Sequence, residues 1–252
     1  MNKITVAVVI IITLLFGGLV VTSLIKKQES SIDFSQYDST KIIAADENNG
    51  NIGDHARGKV DSELVLVEYA DLQCPGCAAV MPRISELTKL YGDRVAFVFR
   101  NFPLSGHQNA RAASAAVESA GLQGYYWEMI ETLYSNRASW ISLSGKNRTE
   151  EFTRLFKEIA PEGNEEEFRN NLDNENIKKK INFDYGIGAN VDKIKQTPSF
   201  MINGKEIDMS KVQTTDEIRD FVENGVKDAL KEAGMDSEPN YSYLVETVES
   251  AE

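Results

Sequence analysis

The sequence predicts an α/β fold built around a parallel strand pair. Three observations carry this. Two short apolar, β-prone runs, Leu64 to Ala70 and Val95 to Asn101, flank a helical stretch in the order of a βαβ unit. A long helical block follows from Asn109 to Tyr185. The chain then returns to β at Ser199 to Ile202, with an Asn203-Gly204 turn signal and a last amphipathic helix. The 252 residues suffice for one globular domain with appendages. A net charge of −12 argues against nucleic acid as a partner.

Taken in order, Ile4 to Ile25 is almost wholly apolar, and about 20 such residues span a bilayer as a helix. The stretch is long for a signal-peptide core and no small-residue cleavage site follows. Residues 1–27 therefore read as an uncleaved membrane anchor. Lys3 on one side and Lys26 and Lys27 on the other leave the flanking charge nearly balanced. Residues 28–58 are polar and irregular and read as a tether; His55, at its end, receives no role. Leu64 to Ala70 reads as a buried strand. Ala78 to Tyr91 reads as a helix that Pro82 should kink. Gly92-Asp93 turns the chain into the second buried strand.

The alanine-rich Asn109 to Leu122 suits close helix packing, and Tyr125 to Tyr134 is amphipathic and aromatic. Thr149 to Ile159, Glu165 to Leu172 and Asn174 to Tyr185 read as further helices, punctuated by Pro161 and Gly163. The last helix, Thr215 to Gly234, has Thr215 as its expected cap and Ile218, Phe221, Val222, Val226 and Leu230 as its apolar face. The acidic tail beyond Met235 reads as mobile.

The chemistry concentrates in Cys74-Pro75-Gly76-Cys77, which holds both cysteines of the chain. A structural zinc site needs about four N/S ligands, and His55 and His107 lie far from the pair in sequence. A purely structural disulfide between i and i+3 would close too short a loop to stabilise much. A redox-active pair fits better. Cys74 sits where a strand hands over to a helix, and backbone N–H groups at a helix start favour a thiolate. Pro75 stiffens the ring and fixes the helix start. Glu68, six residues before Cys74 in an otherwise apolar strand, is either a buried carboxylate with a raised pKa or a strand-edge residue facing solvent. His107 precedes the alanine-rich helix and reads as a capping or packing residue.

The run Asp71-Leu72-Gln73-Cys74-Pro75-Gly76-Cys77, the run Asn101-Phe102-Pro103-Leu104 with His107, and Thr197-Pro198-Ser199-Phe200-Met201-Ile202-Asn203-Gly204 together resemble the DsbA-like branch of the thioredoxin superfamily. The resemblance covers roughly Val60 to Gly234. It implies a thioredoxin-like fold with an inserted helical domain, here preceded by an N-terminal transmembrane helix. The thioredoxin-like parts would be 59–105 and 191–235, the insert 106–190 and the acidic tail 236–252. It implies Cys74 as the exposed nucleophile, Cys77 as the buried resolving thiol and a cis bond before Pro198. Thr197, with Pro75 and Gly76, would meet an extended substrate segment, and Glu68 would take the Cys77 proton. The best-known oxidases of this branch carry His where this chain has Gly76, so that thiolate-stabilising group is missing here.

The expected activity is an extracytoplasmic thiol–disulfide oxidoreductase that forms disulfides in exported proteins. It would need no cofactor beyond the Cys74–Cys77 disulfide and no metal. Its partners would be cysteine-containing protein substrates and a membrane redox partner that recycles the pair. The domain would be held at the cell membrane by residues 4–25, outside the cytoplasm. Two alternatives stay open: a reductase or isomerase using the same site, and a non-catalytic thioredoxin-like module that binds peptides. Catalysed insulin reduction or substrate refolding separates the last from the others.

Overall fold

The two apolar runs pair as expected. In a computed structural model, which describes residues 32–212 and 214–242, β2 (Val65–Ala70) and β3 (Ala96–Asn101) lie parallel, from Val65 opposite Ala96 to Ala70 opposite Asn101. Every residue of both strands is buried, which is why their apolar residues run without alternation. The crossover between them is α1 (Pro75–Tyr91), which continues through Pro82. β4 (Ser199–Ile202) pairs antiparallel with β2, and β5 (Lys205–Glu206) closes the hairpin. Asn203 and Gly204, at φ of 48° and 74°, make its turn, the left-handed pair that an Asn-Gly hairpin turn requires.

A fifth strand was not legible in the sequence. β1 (Ala56–Gly58) pairs antiparallel with β3 and completes the sheet order β1-β3-β2-β4-β5. It belongs to the segment expected as a tether, and that expectation fails from Phe34 onward. Asn49 is fully buried, and Ile43 and Ile52 are nearly so. Asp54 is buried against Arg100 of β3 at 2.7 Å and against Lys180 at 3.0 Å. Residues 34–58 thus form an arm folded onto the domain, and the described residues from Phe34 onward make one compact unit. The expected anchor, 4–25, lies outside the described residues. Among the described residues no helix is long and apolar enough to cross a membrane.

Between β3 and β4 come α2 (Ala110–Gly121), α3 (Tyr126–Ser135), the single-turn α4 (Arg137–Trp140), α5 (Gly145–Ile159), α6 (Glu165–Asn171) and α7 (Glu175–Asn190). One apolar core joins α2 to α6 with Ala70, Leu72, Cys74, Cys77 and Phe99. A second core lies between the sheet, α1 and α8 (Thr215–Glu232), where Ile218, Val222, Val226 and Leu230 are buried. The redox motif sits at the edge of the first core, so the insert packs directly against it. Two local expectations are corrected. Thr214, not Thr215, caps α8, in a reciprocal capping box with Glu217. The start of the tail is also pinned: the Asn240 N–H donates to Leu90 O at 2.9 Å, and its amide to Asp93 at 2.7 Å.

Candidate functional site

Cys74 occupies the N-cap of α1, with φ −66° and ψ 126°, and Pro75 opens the helix. Proline is suited there because its missing N–H has no intrahelical partner to lose. The loop before Cys74 is fixed by Asp71, whose side chain is fully buried. Its carboxylate accepts from Gln73 N at 2.7 Å, from Leu104 N at 2.8 Å and pairs with His107 Nδ1 at 2.8 Å. His107 therefore packs against the redox loop. The insert adds three holds: Tyr134 Oη donates to Asp71 O, Arg137 donates twice to Gln73 O at 2.7 and 2.9 Å, and Gln73 Oε1 accepts from Asn109 N. The carbonyl just before the nucleophile is thus clamped by a guanidinium.

The Thr197–Pro198 bond is cis, and Thr197 O accepts from Cys74 Sγ at 3.6 Å. Gly76 lies under the same loop: a Cβ there would stand 3.4 Å from Pro198 Cδ and 3.7 Å from Cys74 Sγ. A side chain at residue 76 would therefore border both reacting elements, and glycine leaves that border open. Cys74 is 8 % exposed and Cys77 fully buried. The expected order of access holds, but Cys74 is far less open than an exposed nucleophile, because the insert and the Thr197–Pro198 loop cover it.

The two thiols are driven apart. The Cys74 thiol is lowered to about 5, chiefly by the hydrogen bond from the Cys77 thiol. Burial opposes this, while the Cys77 and Gly76 N–H groups and the Thr197 hydroxyl assist. Thr197 Oγ1 is buried with no hydrogen-bond partner in the dithiol form, which leaves it free to donate to the Cys74 sulfur, and its share exceeds that of the Gly76 N–H. Burial pushes the Cys77 thiol well above its ordinary value, and the charges of Glu68 and Cys74 add to that. Glu68 is 5 % exposed, which settles its face: it is the buried carboxylate and not a strand-edge residue. Burial pushes it up to about 8, Arg57 pulls it down and Cys74 pushes it up. Among the described residues no cluster of His, Cys, Asp and Glu could hold a metal.

A low-pKa thiol at a helix start beside a buried second thiol is what dithiol exchange requires. The family model described as Thioredoxin matches residues 50–236. The chain belongs to the thioredoxin family. Among solved structures it is similar to DsbA2 of Pseudomonas aeruginosa, at 26 % identity and a TM-score of 0.52, covering 70 % of this chain and 97 % of that one. It is also similar to oxidised BdbD of Bacillus subtilis, at 21 % identity and a TM-score of 0.54, covering 74 % and 98 %. The mixed fold with its helical insertion is therefore that of DsbA-like thiol–disulfide oxidoreductases. A curated relative, the Na(+)/H(+) antiporter NhaA 1 of Mycolicibacterium vanbaalenii, is 44 % identical over 85 residues, which is 33 % of this chain and 14 % of that protein.

Sequence reasoning missed Arg137, Tyr134 and Arg57 around the site. A signal existed for one of them: a carboxylate buried at residue 68 calls for a cation nearby, and the strands that flank it supply none on its face.

Proposed function

We propose that the protein oxidises dithiols in exported proteins, working outside the cytoplasm and held to the membrane by residues 4–25. The observation that carries this reading is the separation of the two thiols, with Cys74 held at about 5 and Cys77 pushed well above its ordinary value. A substrate thiolate attacks Cys74 of the closed pair, the Cys74–Cys77 bond breaks, and Cys77 leaves as a thiolate and takes a proton from Glu68. A second substrate thiolate attacks the substrate sulfur of the mixed disulfide and Cys74 leaves as a thiolate, leaving the substrate oxidised and the pair reduced. A membrane partner that accepts two electrons then reoxidises the pair, and no metal or organic cofactor takes part. Thr197 and Pro198, with Pro75 and Gly76, face the incoming extended segment.

A Cys74 value of about 5 lies between the values of about 7 in thioredoxin and about 3.5 in DsbA. A stabilised thiolate favours the reduced form and makes the disulfide a better oxidant. The test is the redox equilibrium of the full chain against glutathione, read by thiol trapping. A potential above about −200 mV supports disulfide formation; one near about −270 mV, as in thioredoxin, reverses the direction and makes the protein a reductase. Cys74→Ser should abolish exchange; exchange retained without Cys74 would remove it as the nucleophile, and a parent chain that catalyses no exchange would favour a peptide-binding module.

A further inference from the structure

Two arginines of the insert hold the redox loop. Arg137, which opens α4, places Nε and Nη2 on Gln73 O at 2.9 and 2.7 Å. Arg148 of α5 places Nη1 on Asn109 Oδ1 at 2.7 Å, and the Asn109 N–H donates to Gln73 Oε1 at 2.7 Å. Both guanidinium groups thus grip the Gln73–Asn109 contact, and Arg137 does so at the peptide group that joins Gln73 to Cys74. The chain has 39 acidic residues against 27 Lys and Arg. With carboxylates in excess, Arg57, Arg94, Arg100, Arg154, Arg169 and Arg219 each pair with one. Among the described residues Arg137 and Arg148 pair with none, and both are half-buried. Arg111 likewise meets only a neutral oxygen, on Asn182 of α7.

A half-buried cation with neutral partners has given up hydration without a countercharge. The carboxylates on neighbouring elements are already committed: Asp71 to Gln73 N, Leu104 N and His107, and Glu151 of α5 to Arg154. The remaining nitrogens, Arg137 Nη1 and Arg148 Nε and Nη2, make no bond within the described residues and are open to solvent. Nor does Arg137 serve the thiolate, because hydrogen bonds lower Cys74 and no cation stands among the main causes. A guanidinium fork matches a carboxylate. We propose that Arg137 and Arg148 are specificity-determining residues that favour substrate segments carrying an acidic side chain beside the reacting cysteine. This deepens the dithiol reading above and rests on it. At about 3.3 Å per extended residue, an acid within about two residues of the cysteine bonded to Cys74 reaches Arg137.

The experiment mixes the oxidised full chain with reduced dithiol peptides that differ only in Glu, Gln or Lys next to the first cysteine. Loss of peptide thiols is followed by quenching and trapping. A peptide thiolate attacks Cys74, the Cys74–Cys77 bond breaks and Cys77 leaves as a thiolate; the second peptide thiolate then closes the peptide disulfide and releases Cys74. Each rate is divided by that peptide's rate with a small uncharged disulfide, which removes the effect of the flanking residue on its own thiol. Ratios are taken within one protein, so general damage to the redox loop cancels. The unmutated chain should oxidise the Glu peptide about fivefold faster than the Gln peptide, with the Lys peptide slowest. Raising salt from about 0.05 to about 0.5 M should shrink the ratio. Arg137→Gln keeps a donor for Gln73 O but deletes the charge, and should bring the ratio to about two or less. Joined with Arg148→Gln it should reverse the preference, because only the net charge of −12 is then left to act. Arg137→Lys should keep the preference, and the pH dependence of Cys74 alkylation should stay in place throughout. Equal rates for the peptides with the unmutated chain overturn the proposal without any variant having to fold. So does a Glu preference that survives the double substitution. A preference for glutathione over its ethyl ester, with none among the peptides, also overturns it, in favour of a site for small acidic thiols. An unmutated chain that oxidises none of the peptides instead overturns the dithiol reading itself.

Discussion

At Cys74 several donors converge on one sulfur, and they are not equivalent. The Cys77 thiol and the α1 N–H groups come with the CxxC helix start, whereas the Thr197 hydroxyl comes from the loop across the site. That hydroxyl is buried and has no full hydrogen bond in the dithiol form, which is costly for the resting protein. It gains a charge-assisted bond only when Cys74 is ionised. Thr197→Val keeps the shape and the Thr197 carbonyl but deletes this donor. The Cys74 value, about 5 in the parent, should rise by up to about one pH unit, read from alkylation rate against pH. Stability should be unchanged or slightly higher, because an unpaired buried hydroxyl is gone. An unmoved alkylation limb would remove Thr197 from the set of thiolate partners and leave the α1 start alone responsible.

At the scale of elements, the arm 34–58 matters most, because it supplies both an edge strand and a buried charge. Asp54 is fully buried; burial pushes its carboxyl up, but Arg100 and Lys180 outweigh that and hold it well below the ordinary range. Lys180 also pairs with Asp184 at 2.7 Å, and Asn101 links Asp184 to Glu118, which faces His55 stacked on Tyr126. Arm, sheet and insert thus share one buried polar network. Asp54→Asn leaves Arg100 without its carboxylate and should cost about 3–5 kcal/mol, measured by urea unfolding at neutral pH. A loss under about 1 kcal/mol would mean the arm is docked by its apolar residues alone. The folded value of Asp54 is depressed, so its contribution is present above the ordinary carboxylate range and is lost as pH falls through the folded value.

This element also marks where the sequence stops being informative. β2, β3, β4 and α1 announce themselves through unbroken apolar runs and a turn signal, all local patterns. The arm reads as linker because its buried groups are polar and their partners are distant: Asp54 meets Lys180 across 126 residues, and Ser39 meets Asp192 across 153. A polar residue satisfied inside a network and one satisfied by water look the same in one sequence. Cys74 and Cys77 were legible from their spacing, Glu68 as the one charge in an apolar strand, and Pro198 only through the resemblance of Thr197-Pro198-Ser199-Phe200 to a known family. Arg57 and Arg137 were not, since the contacts that recruit them come from β1 and α4 and exist only in the folded chain.

Across the whole molecule, redox state and folding form one linked equilibrium. In the reduced protein Cys74 ionises at about 5 when folded, against an ordinary thiol value of 9.0. Between those values the folded reduced chain carries one fewer proton at Cys74 than the unfolded chain, so its stability rises with pH. The sign follows from a depressed folded value: the contribution is full above the unfolded value and is gone once pH falls below the folded one. The oxidised protein has no thiol to titrate and lacks this term; Glu68 is present in both forms, but the Cys74 thiolate pushes it up only in the reduced one, so at higher pH Glu68 and the raised Cys77 thiol work against the gain. The reduced form should therefore gain on the oxidised form from pH 5 to about pH 7, measured as the difference in denaturant midpoint between the two at each pH. The same gain sets the direction of exchange, because whatever stabilises the folded dithiol over the folded disulfide makes the disulfide more oxidising. A gap that stays flat over this range would mean that the Cys74 thiolate is no better held in the fold than out of it, and an oxidase that relies on that thiolate would lose its driving force.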